Sequence, residues 1–141
     1  TIYSILDSYS EINDDQLNDI IKKLKKNKYI SDVNILKQDN TYIINISQYK
    51  IINEVKFKGL KRFKKNDLNL ILPFDEYLKV DDEKQINKFI KELKELYYSY
   101  AYNKINIEYE LQNIDNNKNF TDIQFNINEH IQCTFVIWLK Q

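Results

Sequence analysis

With 141 residues, of which 43% are hydrophobic and 13% aromatic, the chain can bury a core and does not have the composition of a disordered protein. Twenty-one basic residues balance twenty-one acidic ones, so no overall field attracts nucleic acid or an anionic membrane surface. The single cysteine, Cys133, cannot form a disulfide within the chain, and no apolar run approaches the roughly 20 residues of a membrane-spanning helix.

The first predicted elements are a helix and a hairpin. Apolar residues recur at helical spacing within residues 14–27, at Leu17, Ile20, Ile21 and Leu24. Asn13 fits the N-cap position, and Gln16 completes a capping-box pattern. Residues 30–38 and 41–48 are rich in β-forming residues, and the Asp39-Asn40 pair between them favours a two-residue turn.

A second set of elements follows. Residues 51–59 alternate apolar and charged side chains and end at Gly59, which indicates a half-buried strand. A short helix is predicted over 65–72 and a long helix over 82–102, capped by Asp81 or Asp82. Strands are predicted over 104–112 and 120–128, with the Asn-rich residues 113–119 as their turn, and over 132–140. The apolar face of the long helix comprises Ile86, Phe89, Ile90, Leu93, Leu96, Tyr97 and Tyr100.

The two halves of the chain form an internal repeat. The apolar stripe of the first helix aligns with that of the long helix, and a hairpin follows each of them in the same order. Residues 1–10 then occupy the place of the short helix, and no strand precedes them. The expectation is that the chain begins inside its first module.

In their order and spacing these motifs resemble the POTRA modules of the BamA family, whose pattern is a strand closing on glycine, two helices and a hairpin. Residues 28–33 (KYISDV) resemble the opening of the hairpin, and residues 54–59 (EVKFKG) resemble the first strand. Residues 96–100 (LYYSY) match the aromatic end of the long helix, and residues 121–125 (TDIQF) are similar to the final strand.

Two features depart from the family pattern. Lys28 and Ala101 stand where glycine is expected at the ends of the two long helices, and residues 48–51 lack the usual proline between modules. These departures affect the expected helix ends and the stiffness of the joint, and they leave the expected fold unchanged.

The resemblance implies an α+β fold of tandem POTRA modules with the order β-α-α-β-β, each a three-stranded mixed sheet covered on one face by two helices. Residues 1–49 are the expected first module without its opening strand, and residues 50–130 are the second module. Residues 131–141 are the expected opening strand of a following module. One missing strand and one spare strand also raise the hypothesis of strand exchange between two molecules.

The function implied by the resemblance is that of a scaffold or chaperone-like module, at the periplasmic face of the outer membrane, in a machine that assembles β-barrel proteins. Its expected partners are unfolded outer-membrane protein segments, accessory assembly lipoproteins and its own C-terminal membrane β-barrel, outside this sequence. Clients would add to an edge strand through main-chain hydrogen bonds, a mode called β-augmentation. The alternative is a spacer or interaction module of a secretion transporter or division protein, without client binding.

The resemblance also implies that the second strand of each module lies at a sheet edge, which selects the candidate binding residues. Glu108 and Tyr109 are expected on opposite faces of their strand. The edge charges have an alternative role, because charged edges also resist aggregation. The tyrosines at the end of the long helix either form an aromatic partner patch or pack on a neighbouring module. The candidate edge residues are Ser31, Val33, Ile35, Lys37, Lys104, Asn106, Glu108, Tyr109 and Glu110, and the candidate patch residues are Tyr98 and Tyr102.

No residues in the sequence point to catalysis, a cofactor or a metal. His130 and Cys133 are too few to complete a metal site, and no nucleophile–base–orienter set or phosphate-binding glycine loop is present. The basic runs 22–28 and 61–65 are interpreted as solvated helix faces. A nucleic-acid-binding KH domain needs a GXXG loop, which a single glycine rules out. The chain is therefore expected to be a non-enzymatic module that does not bind nucleic acid.

Overall fold

The computed structural model describes residues 12–130 and 137–140, and the chain divides into two compact units, residues 1–50 and 51–141. Residues 1–10 and most of the predicted last strand, 132–140, lie outside the described part, and residues 137–140 have no regular secondary structure. Within the described residues, no helix is both long and apolar enough to span a membrane. The elements, in chain order, are α1 (Asp14–Lys25), β1 (Ile30–Gln38), β2 (Thr41–Gln48), β3 (Ile51–Lys58), α2 (Lys65–Ile71), α3 (Phe74–Tyr77), α4 (Glu83–Ser99), β4 (Lys104–Ile114) and β5 (Asn117–His130).

The first unit contains helix α1 and the antiparallel hairpin β1–β2. The predicted capping box is confirmed: the Asn13 side chain accepts a hydrogen bond from the Gln16 amide at 2.8 Å, and Gln16 Oε1 accepts one from the Asn13 amide at 3.1 Å. The predicted turn is also confirmed, and Asp39 adopts a left-handed φ of 53°, which its short side chain tolerates. The core of the unit consists of Ile20, Leu24 and Ile30, with Ile12, Val33, Ile44 and Ile46 packed against it.

The second unit follows the expected order of strand, helix, helix, strand and strand. Its strands form a mixed sheet in the order β3-β5-β4, in which β5 pairs in parallel with β3 and antiparallel with β4. The implied mixed sheet, with its second strand at an edge, is therefore confirmed for this unit. An additional single-turn helix, α3, follows α2 directly. Periodicity does not reveal α3, because four residues contain too little of a helical repeat.

Helix α4 packs against this sheet with the side that its spacing predicts. Phe89 of α4 lies 5.0 Å from Phe125 of the central strand, measured between ring centroids. Phe57 of β3 lies 5.0 Å from Phe74 and 5.6 Å from Phe125. These four rings join two strands and two helices in one core. The buried residues of α4 are Ile86, Phe89, Leu93 and Tyr97.

Two features of the second unit differ from the sequence prediction. The turn expected over 113–119 is only Asp115 and Asn116, because β4 continues to residue 114 and β5 begins at residue 117. Asn116 takes a left-handed φ of 64°, which asparagine tolerates, so the hairpin closes without a longer loop. The basic run 61–65 lies mostly in the loop before α2 and not on a helix, because Phe63 in its middle is buried in the core.

Helix α4 ends at residue 99, before the predicted residue 102, in a Schellman motif where alanine occupies the usual glycine position. The Tyr102 amide donates to the Tyr97 carbonyl at 3.2 Å, and the Ala101 amide donates to the Tyr98 carbonyl at 3.0 Å. The rings of Tyr97 and Tyr102 also meet, with 5.4 Å between their centroids. Ala101 adopts a φ of 64°, so the glycine missing from the family pattern leaves backbone strain at this position.

Ala101→Gly is expected to stabilise the protein. A left-handed backbone costs an L-residue about 1–2 kcal/mol, and glycine avoids this cost but loses about 0.5–1 kcal/mol through its greater freedom in the unfolded chain. We expect the free energy of unfolding, measured by urea denaturation, to rise by about 0.5–1 kcal/mol. Ala101→Val should lower it. A loss of stability in Ala101→Gly would contradict this account of the helix end.

Gly59→Ala is expected to destabilise the junction between β3 and β5. Gly59 has a φ of 84°, and a Cβ added there would lie 2.1 Å from the Ile127 carbonyl oxygen. Since two such atoms cannot approach so closely, the end of β3 must move away from β5. We expect urea denaturation to show a loss of roughly 2 kcal/mol or more. An unchanged midpoint would show that the two strands are not held together at this point.

Candidate binding site at the open edge of the sheet

The three-stranded sheet has two edges, and they are not equivalent. Edge strand β3 is partly covered at its beginning, where the Ile52 amide donates to the Lys79 carbonyl at 2.9 Å and Ile51 forms a β-bridge with Val80. Edge strand β4 pairs with β5, and no strand lies on its other side among the described residues. One side of an eleven-residue strand is thus available for a further strand.

Side chains alternate between the two faces of β4. Ile105 and Ile107 are buried in the core, and Tyr109 is half-buried on the same inner face, with its ring centroid 6.4 Å from that of Phe125. The structure therefore places Tyr109 on the face opposite to Glu108, as the alternation predicts. The outer face carries the exposed candidate residues Lys104, Asn106, Glu108 and Glu110.

Amide side chains connect the strands on the outer face of the sheet. Glu110 Oε1 accepts hydrogen bonds at 3.1 Å from both Gln112 and Gln124. Gln124, on the central strand, donates a further bond to Asn126 Oδ1 at 2.8 Å. The side chain of Glu110 is therefore held in place by two amide groups.

On the same face, the Asp122 carboxylate has both a neutral and a basic partner. Its side chain accepts a hydrogen bond from the Asn53 amide group at 3.1 Å and forms an ion pair with Lys56 Nζ at 3.1 Å. The hydrogen bond from Asn53, together with the contact to Lys56, lowers the pKa of Asp122 below its usual range. These contacts tie β3 to β5, and Lys56 Nζ also reaches β4, where it donates to Gln112 Oε1 at 3.3 Å.

The candidate edge of the first unit is β1, and its residues are arranged less regularly. Ser31 lies at a bulge between Ile30 and Asp32 and has no residue opposite it in the strand register. Val33 and Ile35 are half-buried, whereas Lys37 is exposed, with its Nζ 5.4 Å from the centroid of the Tyr42 ring.

The tyrosines at the end of α4 divide between the core and the surface. Tyr97 is fully buried, and Tyr102 is half-buried against it. Tyr98 is 50% exposed, so only one of the two candidate patch residues is exposed to solvent. Tyr100, which the helical spacing placed on the apolar face, is 45% exposed, and the Arg62 guanidinium lies 4.5 Å from its ring centroid.

Glu129 organises the loop beside these tyrosines and was not identified from the sequence. Its Oε1 accepts hydrogen bonds from the Lys61 and Arg62 amides at 3.0 Å each and from the Tyr97 hydroxyl at 2.5 Å. Burial, and then the bond to this carboxylate, raise the pKa of Tyr97 above its ordinary value of about 10. The three partners lie 68, 67 and 32 residues away along the chain, so no local pattern reveals this role.

The chemistry of β4 fits the addition of a strand. The strand combines an open main-chain edge with an apolar inner row and a charged outer row, which together can accept an extended chain. In the described part of the chain, no group of three or more His, Cys, Asp or Glu side chains could hold a metal ion.

Comparison with known proteins gives a family match for the second unit. The matching family model is POTRA, described as "Surface antigen variable number repeat", and it covers residues 50–130. That range is more than half of the 141 residues. No curated protein matches the chain significantly.

Several solved structures are similar to the chain at low sequence identity. POTRA1-2 of the periplasmic domain of Omp85 from Anabaena is 15% identical, with a TM-score of 0.45, over 93% of this chain and 83% of that one. The N-terminal domain of Omp85 from Thermosynechococcus elongatus is 14% identical, with a TM-score of 0.48, over 81% of this chain and 49% of that one. POTRA1-3 of the Anabaena protein is 15% identical, with a TM-score of 0.41, over 88% and 52%. The chain thus spans about half the length of the last two structures.

The bond between Tyr97 and Glu129 predicts a loss of stability in alkali. Because folding raises the pKa of Tyr97, its contribution is fully present below the unfolded pKa of about 10 and is lost as the pH rises above that value. Tyr97→Phe should flatten the decline in the free energy of unfolding above about pH 10, measured by urea denaturation across pH. Tyr77→Phe, at a tyrosine that is 50% exposed, is the matched control. Parallel curves for the native chain and Tyr97→Phe would contradict the prediction.

Proposed function

Because the chain belongs to the POTRA family, we propose that it is a scaffold module of an outer-membrane β-barrel assembly machine, and that it binds extended client segments by β-augmentation. POTRA domains are interaction modules, and in this proposal the chain acts without catalysis or a cofactor. Its site of action is the periplasmic face of the outer membrane. Its partners are unfolded outer-membrane protein segments, accessory lipoproteins and a membrane β-barrel in the same protein.

The proposal extends to how the chain is divided. Residues 1–49 and 50–130 act as two successive modules, and residues 131–141 open a following one. The family match to residues 50–130 supports the second of these modules.

The observation that carries the proposal is the open side of β4. The strand runs over Lys104–Ile114, or roughly 37 Å at the usual rise per residue. An extended segment can pair with this side through main-chain donors and acceptors, which every sequence has. Such pairing suits a module that receives many different clients, because affinity does not depend on one particular side chain.

The inner row of β4 supports the same reading. Ile107 is buried and Tyr109 is half-buried, whereas Leu111 is 43% exposed. Apolar residues of an added strand would lie beside Tyr109 and Leu111 on this face and shield them from water. In the first unit, the half-buried Val33 and Ile35 give β1 the same alternation, and we propose β1 as a second client edge.

A spacer module without client binding is the competing role. The exposed charges of Lys104, Glu108 and Glu110 favour it, because charged side chains on an edge strand also resist pairing with other chains. The two roles differ in whether an extended peptide pairs with the main chain of β4.

An extended peptide of about ten residues, apolar at alternate positions, is expected to shift the amide NMR signals of residues 104–114 saturably. Two modified peptides test whether the main chain carries the binding: one is N-methylated at odd positions and the other at even positions. A strand directs alternate amides towards its neighbour, so only one modified peptide can pair with β4. We expect one of them to bind like the parent and the other to lose binding.

The outcomes separate three possibilities. Equal binding of both methylated peptides would indicate a side-chain groove in place of β-augmentation. Shifts confined to residues 51–58 would indicate the β3 edge. If the parent peptide at millimolar concentration leaves residues 104–114 unshifted, client binding at β4 is rejected and the spacer role remains.

A further inference from the structure

We propose that the β4 edge selects extended segments in which apolar residues alternate with lysine or arginine. This inference rests on the proposed function, because it concerns the side chains of the strand that β4 would accept. Two observations support it: acidic side chains line the centre of this edge, and the lysines of β3 lie on the other side of the central strand.

The outer row of β4 is acidic at its centre. Glu108 and Glu110 are exposed and occupy successive positions on this face. Their partners across the strand pair are Asn126 and Gln124, whose amides carry no charge. Neither glutamate forms an ion pair with another described residue. Both charges therefore remain available to a strand on the other side.

The two lysines of the opposite edge strand lie across the central strand from the glutamates. Lys56 and Lys58 belong to β3, and the central strand lies between them and the glutamates. Two strand spacings, about 10 Å, separate the main chains of the two edges. Lys56 is paired with Asp122 at 3.1 Å, and its Nζ donates to Gln112 Oε1 at 3.3 Å, so its charge approaches the outer row of β4 across β5 and not from the open side. The negative potential of the glutamates is thus least compensated on the open side of β4.

An added strand brings its own side chains directly beside these two rows. Residues opposite each other in paired strands have Cβ atoms about 4.5–5.5 Å apart, where opposite charges attract and like charges repel. Basic residues therefore fit beside Glu108 and Glu110, and apolar residues fit beside Tyr109 and Leu111 on the inner face. A slip of one residue would exchange the two faces, so both preferences act on the same segment.

Three peptides of equal length test this inference on the whole chain. Each alternates the same apolar residues with lysine, serine or glutamate, and binding is followed by the amide shifts of residues 104–114. At low ionic strength, we expect the lysine peptide to bind about tenfold more tightly than the glutamate peptide, with the serine peptide between them. In about 0.5 M salt, which shortens the Debye length to roughly 4 Å, the difference should fall to about twofold.

Charge reversal on β4 gives the decisive comparison. Glu108→Lys combined with Glu110→Lys is expected to invert the order, so that the glutamate peptide binds most tightly. The matched control, Asp67→Lys combined with Glu76→Lys, makes the same change in net charge at exposed sites on α2 and α3. It should keep the original order. If the β4 variant does not fold, the binding of the three peptides to the unmodified chain, and the effect of salt on that binding, still test the inference.

Each outcome bears on a different claim. Equal affinities of the three peptides, with shifts in residues 104–114, overturn the charge preference and leave the proposed function standing. If no peptide shifts these residues, the proposed function and this inference fail together. Inversion by the control variant as well would trace the preference to the net charge of the chain, which also overturns the inference.

Discussion

The position of β5 between β3 and β4 determines the arrangement of the second unit. Because β5 pairs on both sides, its alternate residues Thr121, Ile123, Phe125 and Ile127 are buried where the helices pack. Its parallel pairing with β3 requires a crossover connection, which contains the three helices α2, α3 and α4 and strand β4. The same topology leaves β4 at an edge, whatever its sequence. The existence of the candidate site thus depends on strand order, and its chemical character depends on the side chains of β4.

The end of β5 also fixes the loop that follows β3. Gly59 approaches the Ile127 carbonyl because it has no Cβ, and Glu129 holds two amides of the loop beyond it. Phe63 is thereby set against the tyrosines of α4, with centroids 5.2 Å from Tyr97 and 5.4 Å from Tyr100. Aromatic residues at the end of the long helix therefore pack this corner of the unit. Among the described residues, no buried polar side-chain atom lacks a hydrogen-bond partner.

Local patterns in the sequence predicted most of the helices and strands. Helical spacing located the buried face of α4 and the capping box located the start of α1, because both depend on residues within a few turns. The family resemblance supplied the strand order, which no local pattern contains. The sequence did not predict contacts between distant residues. Examples are the three hydrogen bonds to Glu129 and the β-bridge between Ile51 of β3 and Val80. Alternation predicted which residues share a face of β4. The charges around those residues belong partly to β3 and β5, so they could be described only once the register of the sheet was known.

The exposed glutamates on β4 would influence both self-association and client binding. In a register that places Glu108 and Glu110 of two copies opposite each other, like charges repel, so the strand resists that pairing with itself. The same two charges attract a strand whose outer face is basic. In the proposed function, protection against self-association and recognition of a client therefore use the same side chains without conflict. Discrimination needs a repulsive contact with the wrong partner as well as an attractive contact with the right one, and Glu108 and Glu110 can supply both.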